Sequence, residues 1–379
     1  MKKRSNKTIV TDYDKLILLF YLGLMLAGLL IMLDITSVRN SMEYFYRQLA
    51  YFVAAIILIL YVFFYLEVTK LRRYIWALVG LTIMLLIIVL IGGKSVKGAT
   101  RSIDLGIVNF QPSFLARIVL IFFFAHIIDK KRQELSQAGL SEFVRQFLPL
   151  LVVTALVYGL ILKGQHLSSL VISSATLVCM LFLGGIKLRI VSIALLISII
   201  AGFAVIKLGA DYRSERLDIY KKYCLFFRND TTKVENHKEY QVKESLTALT
   251  SGKLFGTGAD RGRAKHYFLP EARTDYVFTI IGEEFGFLGA MLIFGLHCLL
   301  FFKIMMMAIK LTDFYQQLLT MGLALNIFLN VLVNVGVSMS ILPSTGNTLP
   351  FISYSGTAIL LDSLSIGVIL NISAKRRQI

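Results

Sequence analysis

The chain alternates long apolar runs with short polar connections. Runs that can cross a bilayer as a helix, about 17 to 25 residues, begin near Leu16, Leu49, Ile75, Phe114, Leu148, Leu167, Ile190, Tyr276, Leu318 and Phe351. The pattern predicts an all-α integral membrane protein, a polytopic bundle of about ten transmembrane helices forming one domain over 1–379. The fifth run, to Leu162, is short, and only KGQH separates it from the sixth. One connection departs from the rest. Residues 207–274 leave the membrane between helices seven and eight for far longer than an ordinary loop, which predicts a large extracytoplasmic loop.

Composition agrees. The 379 residues are 56% hydrophobic and 17% charged, with mean hydropathy +0.72, which excludes a soluble domain of this length. The net charge of +17 is informative through its placement, and nucleic acid is a poor explanation for it. Lys2, Lys3, Arg4 and Lys7 precede the first run; Lys70, Arg72 and Arg73 follow the second; Lys130, Lys131 and Arg132 follow the fourth; Lys375, Arg376 and Arg377 close the chain. Every second connection is basic, so both termini are expected in the cytoplasm. Cys179, Cys224 and Cys298 offer no disulfide framework, and the histidines fall at no metal-ligand spacing.

Candidate chemistry centres on LPEARTDYVFTIIGEEFG, from Leu269 to Gly286, where a polar segment runs into an apolar helix. Asp275 stands where the chain passes from water to lipid. An acid there is read as functional, or as the N-cap of the helix beginning near Tyr276. Glu283 and Glu284 follow about two turns into that helix, where a deep carboxylate must be paired, protonated or wet. Asn326, Asn330, Asn334 and Ser338 recur every four residues, a polar stripe that bonds neighbouring helices or lines a cleft. LPSTGNTLPFISYSGT, from Leu342 to Thr357 and including Ser353, predicts an irregular, partly re-entrant segment on the outer side, its backbone satisfied by protein or water and able to bind polar substrate groups where exposed. Arg117 either snorkels to the interface or serves inside the bundle. GTGADRG lacks the ending of a nucleotide loop.

These residues resemble the SEDS family (shape, elongation, division and sporulation; FtsW, RodA, SpoVE). The likeness rests on GATRSIDLG with FQPS (Gly98 to Ser113), on Ser245 to Gly286, on Leu342 to Thr357, and on the helix layout of nearly the whole chain. GTGADRGRAKHYFLPE and YRSER lean toward the FtsW branch. The resemblance implies a peptidoglycan glycosyltransferase in the bacterial inner membrane that polymerises lipid II and releases undecaprenyl diphosphate on the extracytoplasmic side. It also implies a class B penicillin-binding protein as partner and a divalent cation, Mg2+ or Mn2+. The family's catalytic loop aspartate falls on Asp275, as base or metal ligand, with Lys265, Pro270, Glu271 and Thr274 as matched neighbours. Lys97, Arg101, Arg216 and Lys265 are candidates to stabilise the departing diphosphate. Arg117, Glu283, Asn334 and Ser353 complete the substrate-binding set.

The chain departs from the family pattern in four places. Phe114 and Arg117 stand where a glutamate and a lysine are usual, Ser102 replaces a tryptophan, His166 an aspartate, and Ser355 a glycine. Two other functions therefore stand beside the polymerase. One is a lipid II flippase or transporter, favoured by Glu283 and the asparagine stripe; the other is an inactive scaffold for the penicillin-binding protein, favoured by Phe114, Ser102 and His166.

Overall fold

The computed structural model describes residues 8–38, 42–96, 99–104, 106, 109–137, 139–207, 211–224, 237–259 and 261–378. In chain order the helices are α1 (Lys15–Val38), α2 (Glu43–Tyr65), α3 (Val68–Leu71), α4 (Ile75–Gly92), α5 (Pro112–Lys130), α6 (Arg132–Gln137), α7 (Leu140–Gln146) and α8 (Leu148–Lys163). They continue as α9 (Leu167–Leu183), α10 (Leu188–Lys207), α11 (Asp211–Tyr223), α12 (His237–Ser251), α13 (Val277–Glu284), α14 (Gly286–Ile309), α15 (Phe314–Ser338) and α16 (Gly356–Ser373). Among the described residues, seven helices are long and apolar enough to span a membrane and three shorter apolar ones accompany them, in line with the ten runs.

Two small sheets are added to the expected all-α frame. β1 (Thr8–Asp12) pairs antiparallel with β5 (Lys375–Gln378), which brings the two ends of the chain to one face, here the terminal face. Ion pairs reinforce that face: Lys303 at the end of α14 meets Asp14 at 3.0 Å, and Arg72 meets Asp129. On the opposite, far face, β2 (Lys94–Val96), β3 (Ala99–Asp104) and β4 (Asn109–Phe110) form a three-stranded ribbon in the connection before α5.

The spans are not equivalent. The buried share is 83% for α5, 78% for α16 and 67% for α15, against 28–39% for α1, α2 and α14. The first three are thus the interior of the bundle, and the others turn apolar side chains such as Leu19, Ile57 and Leu292 outward. The polar stripe and Arg117 lie on interior helices, where protein can satisfy them.

Two boundaries differ from the sequence reading. The eighth run is broken: α13 stops at Glu284, and Gly286, the first residue of α14, takes a left-handed conformation at φ 68°. All eight residues of α13 are buried in protein, while α14 alone has the length to span. Glu283 and Glu284 therefore stand just before the span and not two turns inside it. The last helix begins at Gly356, with Ser355 accepting from the Ala358 amide, because the preceding segment is irregular. That segment does dip inward. His297, eleven residues into α14 and so roughly 16 Å below its start, contacts the Pro350 carbonyl at 3.2 Å.

Candidate functional site

Asp275 is presented by a turn. Three consecutive amides, of Thr274, Asp275 and Tyr276, converge on the Glu271 carbonyl at 3.1, 3.1 and 3.3 Å. Closing it holds Glu271 at φ 56°, a conformation costing a non-glycine residue about 1 kcal/mol. Thr274 Oγ1 donates to Glu271 Oε2 at 3.1 Å.

The re-entrant segment locks this turn from the other side. Ser353 Oγ donates to the Thr274 carbonyl at 2.6 Å and accepts from the Leu349 amide at 2.8 Å. The Tyr354 amide donates to the Arg273 carbonyl at 2.9 Å. Asn334 Nδ2 donates to the carbonyls of Asp275 at 2.9 Å and Asn347 at 2.7 Å. Asn334 is one turn from the far end of α15, so Asp275 sits at the far boundary of the bundle, half-buried. Its carboxylate lies over Gly346, where an added Cβ would stand 3.4 Å from Oδ2.

A cation faces the same place. Arg216, on α11, donates from Nη1 to the Ser344 carbonyl at 2.9 Å, which docks α11 onto the re-entrant segment. Burial first, and the Asp275 charge second, push the Tyr276 phenol up from its usual range, with Arg216 acting in the opposite sense. Asp275 and Arg216 thus flank one buried hydroxyl that has no hydrogen-bond partner among the described residues. A half-exposed carboxylate beside a guanidinium can take a proton from a hydroxyl and offset developing negative charge.

Comparison with known proteins decides the lineage. Residues 13–378 match the FtsW/RodA/SpoVE cell cycle protein model. The chain belongs to this family. A probable peptidoglycan glycosyltransferase FtsW of Trichlorobacter lovleyi is 31% identical over 96% of this chain and 94% of that protein. The FtsW of Coxiella burnetii, also named a probable peptidoglycan glycosyltransferase, is 31% identical over 98% and 99%. In fold, the chain is similar to a member of a peptidoglycan synthase complex of polymerisation and crosslinking, with TM-score 0.76, 23% identity and coverage of 96% and 98%. It is also similar to Thermus thermophilus RodA, with TM-score 0.68, 23% identity and coverage of 96% and 97%.

Against the family pattern, the predicted site residues fall into four groups, the last being Arg117 alone. Asp275, Glu271, Thr274, Ser353, Asn334 and Arg216 come together as described. Lys265 and Glu283 are occupied elsewhere. Lys265, completely buried in a π-helical turn at Ala264–Phe268, places its ammonium 2.7 Å from Asp34 Oδ1 and 2.7 Å from Glu284 Oε1. Burial lowers its pKa, but the two carboxylates outweigh that and leave it raised. Glu283 accepts from the amides of Arg263 at 2.8 Å and Ala264 at 3.0 Å, so it holds the loop. Lys97 lies outside the described residues; Arg101 lies in β3, and its side chain is likewise not described.

Arg117 is not a snorkelling residue: it is 2% exposed, in the interior. Its guanidinium lies 4.6 Å from the Phe114 ring centroid and donates to Asn330 Oδ1 at 2.9 Å. His166, packed on the other departure residue Phe114 at 5.5 Å, has Nδ1 at 2.6 Å from Ser113 Oγ. The three departures Phe114, Arg117 and His166 thus pack as one cluster, its polar groups bonded to Asn330 and Ser113. Asp34, Asn347 and Asp362 escaped the sequence reading; the signal available was that Asp34 and Asp362 are lone acids in otherwise apolar runs.

Proposed function

We propose that this chain is a peptidoglycan glycosyltransferase that polymerises lipid II, with Asp275 at the reacting centre. The observation that carries the reading is the Asp275 turn, fixed by Asn334 and Ser353 and faced by Arg216. Asp275 takes the proton of the acceptor sugar hydroxyl as that oxygen attacks the anomeric carbon of the donor, and the bond to undecaprenyl diphosphate breaks. Arg216 offsets the charge on the departing diphosphate. The far face is extracytoplasmic in this reading, which is supported by the basic connections on the terminal face.

Among the described residues no three His, Cys, Asp or Glu side chains form a metal cage. The donor present, one carboxylate at Asp275, suits a Mg2+ or Mn2+ ion shared with substrate phosphates. Bound there, the ion would supply further charge neutralisation.

A class B penicillin-binding protein is the proposed partner, supported by the fold's likeness to a member of a synthase complex. The test is polymerisation of purified lipid II by the chain with a partner that has no glycosyltransferase of its own, with and without chelator. Glycan strands are expected. Their absence, with lipid II scrambled across proteoliposomes instead, favours the flippase; neither product favours the scaffold.

A further inference from the structure

Among the described residues, the largest fully buried side chain is Arg117. A buried guanidinium is costly unless it is balanced and bonded, yet among the described residues no carboxylate lies within the 4.0 Å of an ion pair. The charge that acts on it is Asp362 of α16, itself 4% exposed. Arg117 Nε has no hydrogen-bond partner among the described residues.

What Arg117 does bond leads to the site. Its Nη1 donates to Asn330 Oδ1 at 2.9 Å, and Asn330 Nδ2 donates to the Asn326 carbonyl at 2.8 Å, which fixes that amide's orientation. Asn347 Nδ2 donates to the Asn330 carbonyl at 3.2 Å. The Asn347 carbonyl accepts from Asn334 Nδ2 at 2.7 Å, and the same Nδ2 reaches the Asp275 carbonyl at 2.9 Å. Arg117, Asn330, Asn347 and Asn334 are each 3% exposed or less, so the path runs through groups shielded from bulk solvent.

We propose that Arg117, with Asp362 as its counter-charge, is a positioning residue that sets the height of Asp275 through Asn330, Asn347 and Asn334. It pins α15 against α5, and the re-entrant segment and the Asp275 turn take their register from α15. Buried ions serve register in other folds. The proposal rests on Asp275 being the reacting group, but the wiring is readable without turnover.

The test measures amide hydrogen exchange and polymerisation kinetics on the full chain, comparing wild type with Arg117→Met, Arg117→Lys and the double variant Arg117→Met/Asp362→Leu. Arg117→Met is expected to speed exchange at 274–276 and 347–353 by about tenfold or more, with α14 unchanged. It is expected to lower kcat with KM nearly constant, and Arg117→Lys to recover part of kcat. The double variant regains thermal stability, because no lone charge stays buried, without regaining kcat. Unchanged exchange at 274–276, a rise in KM alone, or recovery of kcat in the double variant overturns the proposal. If Arg117→Met does not fold, Asn347→Leu cuts the same path and is read by the same exchange criterion. An inactive wild type removes the polymerase reading and leaves the exchange result to decide the wiring.

Discussion

Asn334 holds the Asp275 main chain: one side-chain nitrogen donates to the carbonyl of Asp275 at 2.9 Å and to that of Asn347 at 2.7 Å. The candidate catalytic turn and the re-entrant segment therefore share a single donor. Asn334→Asp removes that donor and leaves both carbonyls without it, at a cost of about 1–3 kcal/mol. Because displacements of about 1 Å can cost 100-fold in rate, kcat is expected to fall by about that factor with KM little changed. Initial rates on lipid II check this.

The carboxyl pair at Asp34 and Glu284 predicts a pH dependence. Burial first, then the hydrogen bond and charge of Asp34, raise Glu284 from 4.5 to about 7, with Lys265 opposing. The folded form thus holds a proton that the unfolded form has released between those values. Stability from this group is complete below about 4.5 and is lost as pH rises to about 7. Exchange across 251–276 is expected to accelerate from pH 5 to 7.5, and Glu284→Gln to flatten that slope.

Lys265 gives a sharper test of the same cluster. Lys265→Met leaves the buried Glu284 and the part-buried Asp34 facing each other without their cation. Breaking a buried pair this way costs roughly 3–5 kcal/mol, so the melting temperature and yield in detergent should fall. A variant as stable as wild type would mean that the triad does not hold the loop to α1.

Gly28 lets the re-entrant segment pass α1. A Cβ there would stand 2.7 Å from the Phe351 carbonyl oxygen and 2.9 Å from Ile352 Cα, whereas at Gly23 it would meet nothing within 4 Å. Gly28→Ala is expected to lose about 1–3 kcal/mol, and Gly23→Ala to lose nothing. Thermal melts of the pair read the difference.

The bundle was legible because lipid imposes a length and an apolar content on each span, and the ten runs from Leu16 to Phe351 carry both. The break at Gly286 was not, because an apolar run looks the same whether its first turns lie in protein or in lipid. Asp275 was legible as an acid at a boundary. The employment of Lys265 by Asp34 and Glu284 was not, since those residues are 231 and 19 positions away and meet only through packing. Asp362 hid in the same way: one acid in an apolar helix names no partner until α5 and α16 are set side by side.

The most direct test of the account is lipid II polymerisation by Asp275→Asn, which keeps the shape and the main-chain bonds to Asn334 and Glu271 while removing the charge. The account predicts a protein that melts like wild type, binds its partner, and makes no glycan strands. Strand synthesis at the wild-type rate would contradict it.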